Sequence, residues 1–264
     1  MKKILITGAT DGIGLEAARR LVAGGHHLLI HGRDPDKLER VQAELAGGGP
    51  VESYRADLSR PAEVEAFARD VLQVHPALDV LINNAGVFAV AQPGTPDGLD
   101  VRFAVNTVAP YILTRRLLGA LGANGRVVNV SSAAQSPVDL TALKGGGRLP
   151  DMAAYAQSKL ALGMWSFALT GEHPDGPMIV LVNPGSMLGT KMVREAFGQA
   201  GRSIAIGAEI LERAALDDEF KQASGRYYDN DAGRFGDPHP DTRDPILARE
   251  IVGAIEGILK RVAE

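Results

Sequence analysis

Residues 2–22 read KKILITGATDGIGLEAARRLV, in which a short apolar run meets a glycine-rich turn and then a segment of helical character. The pattern predicts a strand over 3–7, a turn over 7–14 and a helix over about 13–24. Glycine at such a turn tolerates backbone angles and close contacts that a side chain forbids, and it opens helix N-terminal amides to an anion such as pyrophosphate. The glycine pattern, G-x-x-x-G-x-G, differs from the commoner dinucleotide pattern G-x-G-x-x-G, so a tight turn without a ligand is the alternative.

The chain repeats this alternation of strand and helix. Further apolar runs predict strands over 27–31, 51–56, 78–82, 126–131 and 178–182, and helical spacing predicts helices over about 36–46, 61–75, 98–122 and 152–171. Strands this apolar are typical of a parallel sheet covered on both faces. The alternation therefore predicts an α/β, Rossmann-type doubly wound sheet of six or seven strands with helices on both faces.

The alternation weakens after Pro184. Residues 186–223 have helical character, 225–230 predict a short last strand, 230–245 have the composition of a loop, and a final helix is predicted over about 245–262. No repeat or change in composition marks a second domain, so we predict a single domain over 1–264. Within it, 186–240 is expected to form a small C-terminal substrate lid and loop region.

Composition excludes several classes of protein. The formal net charge is −4, which does not suggest the basic surface of a nucleic-acid-binding protein. The absence of cysteine excludes disulfides and thiolate catalysis, and the six histidines show no metal-ligand spacing, so no metal is predicted. No apolar run has the length of a secretory signal or a transmembrane segment, and a cytoplasmic protein is expected.

Six further motifs follow one another along the chain. They are Asp57, NNAG at 83–86, Asn106, VNVSS at 128–132, YAQSK at 155–159 and NPG at 183–185. With TGATDGIG they resemble the motifs of the short-chain dehydrogenase/reductase family over nearly the whole chain. The long interval between VNVSS and YAQSK, and RYYDNDAGRF at 226–235, are similar to the retinol-dehydrogenase-like branch. The resemblance implies an oxidoreductase that moves a hydride between a nicotinamide dinucleotide and a small-molecule carbonyl or alcohol.

YAQSK places a phenol and an ammonium on one helix face, because positions i and i+4 are neighbours there. Lys159 is expected to lower the pKa of Tyr155, which would then act as general acid in reduction and general base in oxidation. The resemblance implies that Lys159 also bonds the nicotinamide ribose. It further implies that Ser132, rather than Ser131, stabilises the substrate oxygen, and that Asn106 completes a tetrad through a water. Taken alone, such a pair is usually surface decoration, and a lone asparagine is usually a local polar contact.

The resemblance also assigns cofactor contacts to the loops that follow the strands. The residues concerned are Gly8, Thr10, Asp11, Gly12, Ile13, Gly14, Asp57, Leu58, Asn83, Ala85, Gly86, Pro184, Gly185 and Thr190, together with Tyr155 and Lys159. Helix capping is the alternative role for Asp57 and Thr190, and Asn84 is expected to be structural.

The end of the second strand bears on the choice of nicotinamide cofactor. An acid there bonds the ribose 2′-hydroxyl of NAD, whereas an arginine accommodates the 2′-phosphate of NADP. By resemblance, Gly32 occupies the acid's usual place and Arg33 follows it. Arginine offers a planar charged fork that suits phosphate, so NADP is favoured over NAD. Asp34 is the counter-argument unless it caps the next helix, and Asp11 stands where many NADP-binding relatives have a basic residue.

The predicted lid contains apolar residues, which suggests a partly apolar substrate, although the same residues could belong to the core. The long interval between Ser132 and Tyr155 is expected to border the substrate entrance. Two other functions are considered, a non-catalytic NADP-binding regulator and a sugar-nucleotide epimerase or dehydratase. Regulators often lack the tyrosine or the lysine, and the epimerases usually have another glycine spacing. A homodimer or homotetramer through helices 98–122 and 152–171 would resemble other family members, unless these faces pack within one subunit.

Overall fold

The structure describes residues 1–263, apart from the side chains of Phe197 and Ala263. Within these residues, seven parallel strands and one antiparallel strand form a sheet. The structure is a computed structural model of the chain. The strands are β1 (Lys3–Ile6), β2 (His27–Gly32), β3 (Val51–Arg55), β4 (Val80–Asn83), β5 (Arg126–Val130), β6 (Met178–Asn183), β7 (Arg226–Asp229) and β8 (Arg234–Gly236). Their order across the sheet is β3-β2-β1-β4-β5-β6-β7-β8.

Helices cover both faces of this sheet. They are α1 (Gly12–Ala23), α2 (Pro35–Leu45), α3 (Pro61–Val74), α4 (Val101–Phe103), α5 (Ala109–Leu121), α6 (Leu140–Leu143), α7 (Asp151–Glu172), α8 (Lys191–Phe197), α9 (Ile204–Leu216) and α10 (Pro245–Ala263). A π-helical turn, Ala104–Val108, joins α4 to α5, and 3-10 turns occupy Asp218–Phe220 and Pro240–Arg243. One core lies between the sheet and α1, α2 and α9, and the other lies between the sheet and α3, α5, α7 and α10.

The first strand shows why its sequence is apolar throughout. Ile4 and Ile6 belong to the core under α1 and α9, whereas Leu5 belongs to the core on the opposite face. All three are fully buried, because successive strand residues point to opposite faces and both faces are covered. β1 pairs with β2 on one side and β4 on the other. This change of winding direction opens a crevice at the carboxyl ends of the strands, where doubly wound folds bind ligands.

The predicted fold class is confirmed, with eight strands where six or seven were expected. The additional strand, β8, has three residues, which is too short to give a recognisable alternation. Residues 186–223, predicted as helical, hold α8 and α9 with an irregular segment between them, because Gly198 in the left-handed conformation ends α8. The short helix α6 and the π-helical turn were not predicted.

Helix α10 packs along α7 and also reaches α3 and α6. Its apolar face is buried, and it contains Ala248, Ile251, Ala254, Ile255 and Ile258. The Tyr111 hydroxyl of α5 donates a 2.5 Å hydrogen bond to the Glu256 carboxylate of α10. Much of the helical surface through which a dimer or tetramer was expected is therefore covered within one subunit.

No helix in residues 1–263 combines the length and apolarity needed to cross a membrane. In the same part of the chain, no group of three or more histidine, cysteine, aspartate or glutamate side chains is arranged to hold a metal ion. His27 and His75 instead contact the two carboxylate oxygens of Glu52, at 2.7 and 3.1 Å.

Candidate active site

The loops at the carboxyl ends of β1 to β6 enclose a cavity of about 860 Å³. Arg33 and Asp57 line one end, the glycine loop lines the middle, and Tyr155 and Lys159 line the other end. Of the site residues predicted from sequence, all except Asn83 and Asn106 line this cavity. Pockets of this size commonly hold cofactors.

The glycine loop between β1 and α1 forms the floor of the cavity. Gly8 has a φ of +66°, and a Cβ at this position would lie 2.9 Å from Ala85 Cα. A Cβ at Gly14 would lie 2.2 Å from the Gly8 carbonyl oxygen. Because no side chain fits at either position, the loop presents backbone and the N-terminus of α1 to the cavity. That arrangement favours an anionic ligand.

Asn83, the last residue of β4, does not line the cavity as predicted, whereas Asn84 has the structural role expected of it. Asn83 was expected to line the cofactor, but its side chain is buried and its Nδ2 donates to Asn129 Oδ1 at 2.7 Å. Asn84 lines the cavity instead, and its Nδ2 donates to the carbonyl oxygens of Thr7 and Gly8 at 2.9 and 3.1 Å. Residue 83 is the last residue of β4, and its side chain therefore points into the core rather than towards the crevice.

The residues after β2 and β3 shape the Arg33 end of the cavity. Arg33 is exposed there, whereas the Asp34 carboxylate accepts hydrogen bonds from the backbone N–H groups of Asp36 and Lys37, both at 3.1 Å, and caps α2. Lys37 Nζ also lies 3.9 Å from the Asp11 carboxylate. Two cations, Arg33 and Lys37, therefore lie at this end with two acids, Asp11 and Asp34, and the Asp34 carboxylate is occupied in capping α2.

Asp57 has a local bond as well as a place in the cavity wall. Its Oδ1 accepts from the backbone N–H of Ser59 at 2.9 Å, which stabilises the turn before α3. The N-cap of α3 is Arg60 rather than Asp57. The helix-capping alternative for Asp57 is therefore wrong.

His31 lines the cavity although the sequence analysis gave it no role. Its Nδ1 accepts from the Gly8 backbone N–H at 3.2 Å, and its Nε2 donates to the Ala56 carbonyl at 3.1 Å. The ring also stacks on Phe67, with 5.0 Å between ring centres. Burial lowers the pKa of His31 to about 4, so the neutral ring ties the glycine loop to the turn after β3. A histidine within an otherwise apolar strand was the signal that the sequence offered for this role.

A tyrosine, a serine and a lysine meet at the far end of the cavity. Tyr155 and Lys159 lie one turn apart on α7, with Lys159 Nζ 5.8 Å from the centre of the Tyr155 ring. The Ser132 side chain forms a hydrogen bond with Tyr155. Ser131 also lines the cavity but is 2% exposed, and its hydroxyl lies 3.5 Å from Gln135 Nε2. Ser132 is therefore the serine that contacts the tyrosine.

The pKa values of this pair differ from the expectation. Burial raises the pKa of Tyr155, although the hydrogen bond with Ser132 lowers it. Burial also lowers the pKa of Lys159 to about 8, and Lys159 Nζ donates to the Val130 carbonyl at 2.7 Å. The expected lowering of the Tyr155 pKa by Lys159 is not found, because the ammonium is bonded to the strand and burial dominates. Tyr155 is protonated at neutral pH.

Asn106 lies behind the cavity wall and is 1% exposed. It belongs to the π-helical turn Ala104–Val108, and such turns occur frequently at functional sites. Its Oδ1 accepts from the Val87 N–H at 2.9 Å, and its Nδ2 donates to the Val87 carbonyl at 2.9 Å and to Ser158 Oγ at 3.0 Å. Asn106 therefore fixes a cavity-lining loop against α7.

The loop after β6 and helix α8 also line the cavity. Thr190 Oγ1 accepts from the Val193 N–H at 3.2 Å and caps α8. Thr190 also lines the cavity, as do Pro184 and Gly185. The larger apolar side chains of the cavity lining include Phe88, Met152, Met187, Leu188, Met192 and Val193.

The segment between Ser132 and Tyr155, which was expected to border the substrate entrance, leaves the cavity and returns to it. Only its two ends line the cavity within the described chain, through Ala133 and Ala134 and through Met152. The middle forms α6, whose Ala142 and Leu143 are buried in the core with α10 nearby. This extra segment therefore supports the core more than the entrance.

These residues fit a dinucleotide, since a cation, a side-chain-free glycine cradle at a helix N-terminus and a phenol–ammonium pair line one continuous cavity. A doubly wound sheet with this loop at its switch point defines the dinucleotide-binding class of α/β proteins. The family model described as short chain dehydrogenase matches residues 2–201. The chain belongs to this family, whose members are oxidoreductases that act on alcohol or carbonyl groups.

The relatives place the chain in the retinol-dehydrogenase-like branch. It is 29% identical to retinol dehydrogenase 13 of Mus musculus, over 95% of this chain and 81% of that protein. It is 32% identical to polyprenol dehydrogenase of Mus musculus, over 94% and 80%. Among solved structures, an uncharacterised protein from Mycobacterium paratuberculosis matches with a TM-score of 0.82 at 27% identity, over 98% of this chain and 94% of that one. A short chain dehydrogenase from Burkholderia cenocepacia in complex with NADP matches with a TM-score of 0.70 at 28% identity, over 86% and 95%.

Proposed function

We propose that the protein is an NADP-dependent oxidoreductase that interconverts a carbonyl and the corresponding alcohol, with Tyr155 as the general acid/base. The observation that carries this proposal is the convergence of the Tyr155 phenol, the Ser132 hydroxyl and the Lys159 ammonium on one wall of the cavity. When bound, the nicotinamide ring supplies or takes up the hydride. The chain itself has to orient the reacting oxygen and move a proton.

Tyr155 holds the proton that carbonyl reduction requires. Burial raises its pKa, so the phenol is protonated at neutral pH, and a general acid acts when it lies within hydrogen-bond reach of the oxygen. Ser132, which is bonded to the same phenol, is proposed to donate to that oxygen and stabilise negative charge as it develops. Alcohol oxidation needs the phenolate first, so it should require a higher pH than reduction.

Lys159 and Asn106 are proposed to support this proton transfer. Lys159 Nζ uses one of its three donors on the Val130 carbonyl, and the remaining donors are proposed to hold the nicotinamide ribose. An anionic ligand would favour the charged form of this buried amine. Asn106 is bonded to Val87 and Ser158, and a water between Asn106 and Lys159 is proposed to carry the proton to solvent.

The cations at the Arg33 end of the cavity support NADP over NAD. Arg33 is exposed in the cavity, and the neighbouring Asp34 is committed to the cap of α2. Lys37, beside Asp11, is proposed as a second cation for the 2′-phosphate. The Burkholderia cenocepacia relative was crystallised with NADP, which agrees with this preference. The remaining residues predicted to contact the cofactor, from Gly8 to Thr190, are proposed to do so where they line the cavity, which excludes Asn83.

Turnover of Tyr155→Phe tests the assignment of the proton donor. NADPH binding is measured first, and then the loss of reduced-nicotinamide absorbance with a panel of partly apolar ketones and aldehydes. We expect kcat to fall at least about a hundredfold, the usual contribution of a general acid, with NADPH binding retained. Tyr54→Phe, on β3, is the matched control. Unchanged turnover in Tyr155→Phe would remove the proposed role, and tight NADPH binding without turnover in the parent would favour a regulator.

Cofactor preference is tested separately with Arg33→Ala. Loss of a charged contact to the 2′-phosphate should weaken NADPH binding by about tenfold or more and leave NADH binding nearly unchanged. Arg40→Ala, on the exposed face of α2, is the control. Equal losses for both cofactors would contradict the phosphate contact.

A further inference from the structure

The hairpin between β7 and β8 carries DNDAG at 229–233, part of a motif that the proposed function leaves without a role. Its tip returns to the loop after β6, which lines the cavity at Pro184 and Gly185. Asn230 makes the first contacts. Its backbone N–H donates to the Asn183 carbonyl at 3.1 Å, and its Nδ2 donates to the Pro184 carbonyl at 2.9 Å.

Asp231 makes a denser set of contacts to the same loop. Its two carboxylate oxygens accept from the Ser186 backbone N–H, each at 2.9 Å, and one of them accepts from the Ser186 hydroxyl at 2.6 Å. The Asn183 Nδ2 donates to it at 3.1 Å. Asp231 itself does not line the cavity, so any effect on a ligand has to pass through the residues that it holds.

Arg202 links this carboxylate to the segment that carries α8. Its Nη1 donates to Asp231 at 3.0 Å. Its backbone N–H donates to the Met187 carbonyl and its carbonyl accepts from the Gly189 N–H, both at 2.7 Å. Met187 has a φ of +54°, a left-handed conformation that a non-glycine residue keeps only when its surroundings hold it.

A β-bridge between Leu188 and Arg202 joins the two ends of the segment that contains α8. Four consecutive residues of this α8 segment, Thr190 to Val193, line the cavity. Asp231 therefore contacts both the loop after β6 and the base of the α8 segment, two pieces of chain that line the cavity.

We propose that Asp231 is a positioning residue, which with Arg202 holds the loop 183–186 and the α8 segment in the arrangement that binds cofactor and substrate. Its effect on turnover rests on the proposed function, whereas its effect on cofactor binding can be measured without turnover. A carboxylate suits this place because it only accepts hydrogen bonds, and Ser186, Asn183 and Arg202 all donate to it. The donors from Ser186, Asn183 and Arg202 hold the pKa of Asp231 below its usual value, although burial alone would raise it.

Asp231→Asn tests the proposal with little change in shape. The amide keeps one acceptor oxygen but replaces the other with an NH2 group, which would face the donors that now bond to the carboxylate. Asp237→Asn is the matched control, since Asp237 follows β8 and pairs with Arg243 at a site that is 94% exposed. The readouts are the melting temperature, the Kd for NADPH measured by fluorescence, kcat and KM, and amide hydrogen exchange in 184–190. We expect Asp231→Asn to raise the Kd for NADPH by about tenfold and to speed exchange in that segment, while Asp237→Asn changes neither.

The possible outcomes separate this inference from the proposed function. A parent protein that binds NADPH without turnover would count against the function, and the binding and exchange arms would still test Asp231. A lower melting temperature in Asp231→Asn with parental Kd and exchange would assign Asp231 a structural role only and overturn the proposal. If Asp231→Asn fails to fold, Arg202→Gln takes its place. It should give the same direction in Kd and exchange, and parental values would overturn the proposal.

Discussion

Replacing Lys159 with methionine tests whether the cavity wall holds a buried ammonium at a cost in stability. The side chain is 4% exposed, and burial lowers its pKa from 10.5 to about 8. Methionine has a similar length and no charge, so it removes the titration and keeps much of the packing. The hydrogen bond to the Val130 carbonyl is lost as well, but this loss contributes little pH dependence because a neutral amine also donates.

The magnitude follows from the two pKa values. One pKa unit corresponds to about 1.4 kcal/mol, so the difference between 10.5 and about 8 is worth roughly 3.4 kcal/mol. Between these values the folded protein binds fewer protons than the unfolded chain, so the free energy of unfolding rises with pH. The full penalty is present below about pH 8 and has disappeared above about pH 10.5. From pH 7 to pH 10, the parent should therefore gain about 2.5 kcal/mol relative to Lys159→Met.

Urea unfolding of the cofactor-free proteins at pH 7, 8, 9 and 10 measures this gain directly. Lys191→Met is the control, because the Lys191 side chain is 63% exposed and its removal should give a difference from the parent that stays nearly level with pH. Comparing each variant with the parent cancels the titrations that all of them share. A difference between parent and Lys159→Met that is constant from pH 7 to pH 10 would refute the reasoning, since it would mean that burial does not disfavour the ammonium.

Three further outcomes each follow from a particular contact. Gly32→Asp should destabilise the protein by about 1–3 kcal/mol, because a Cβ there would lie 2.5 Å from Thr10 Cγ2. Serine lacks that methyl group, so adding Thr10→Ser to Gly32→Asp should restore most of the melting temperature. An equal loss with threonine or serine at position 10 would contradict the clash. Between pH 6.5 and about 4, the folded state should lose about 2.6 kcal/mol of stability as the unfolded chain gains the proton that buried His31 does not. Acid unfolding of His31→Thr should lack this loss, and parallel curves would contradict it. Light scattering should give the mass of one chain, 27.9 kDa, because α10 covers much of the surface considered for association, and twice that mass would point to another face.

The regular elements could be predicted because each has a local cause. Strands β1, β2, β4, β5 and β6 are short, largely apolar runs, and α2 and α3 begin with a proline in the first turn. The hairpin strand β8 has no such local signal. Its Phe235 packs on Tyr228 and Phe220 and lies under the Arg226 guanidinium, 3.9 Å from the centre of its ring. These partners are brought together by the sheet, so the local sequence does not show them.

The same distinction between local signals and tertiary contacts applies to the candidate site. Residues in the loops directly after parallel strands could be predicted as cavity residues, because the carboxyl ends of the strands converge. Asn83 was misplaced because one more residue of strand turns its side chain into the core. His31 was overlooked because its partners, Gly8 and Ala56, are distant in sequence and adjacent only across the sheet.

The spacing of Tyr155 and Lys159 predicts that they are neighbours, but it does not predict the dielectric environment that sets their pKa values. Burial raises the first and lowers the second, and both changes favour the neutral form for the same reason, the loss of solvation of a charge. The pair is therefore suited to donate a proton before it is suited to remove one. A positive charge beside the phenol would reverse its shift, and a negative charge beside the amine would reverse the other. The protonation of the proposed acid/base pair therefore depends on the charge of whatever occupies the cavity, a dependence that helix spacing alone does not reveal.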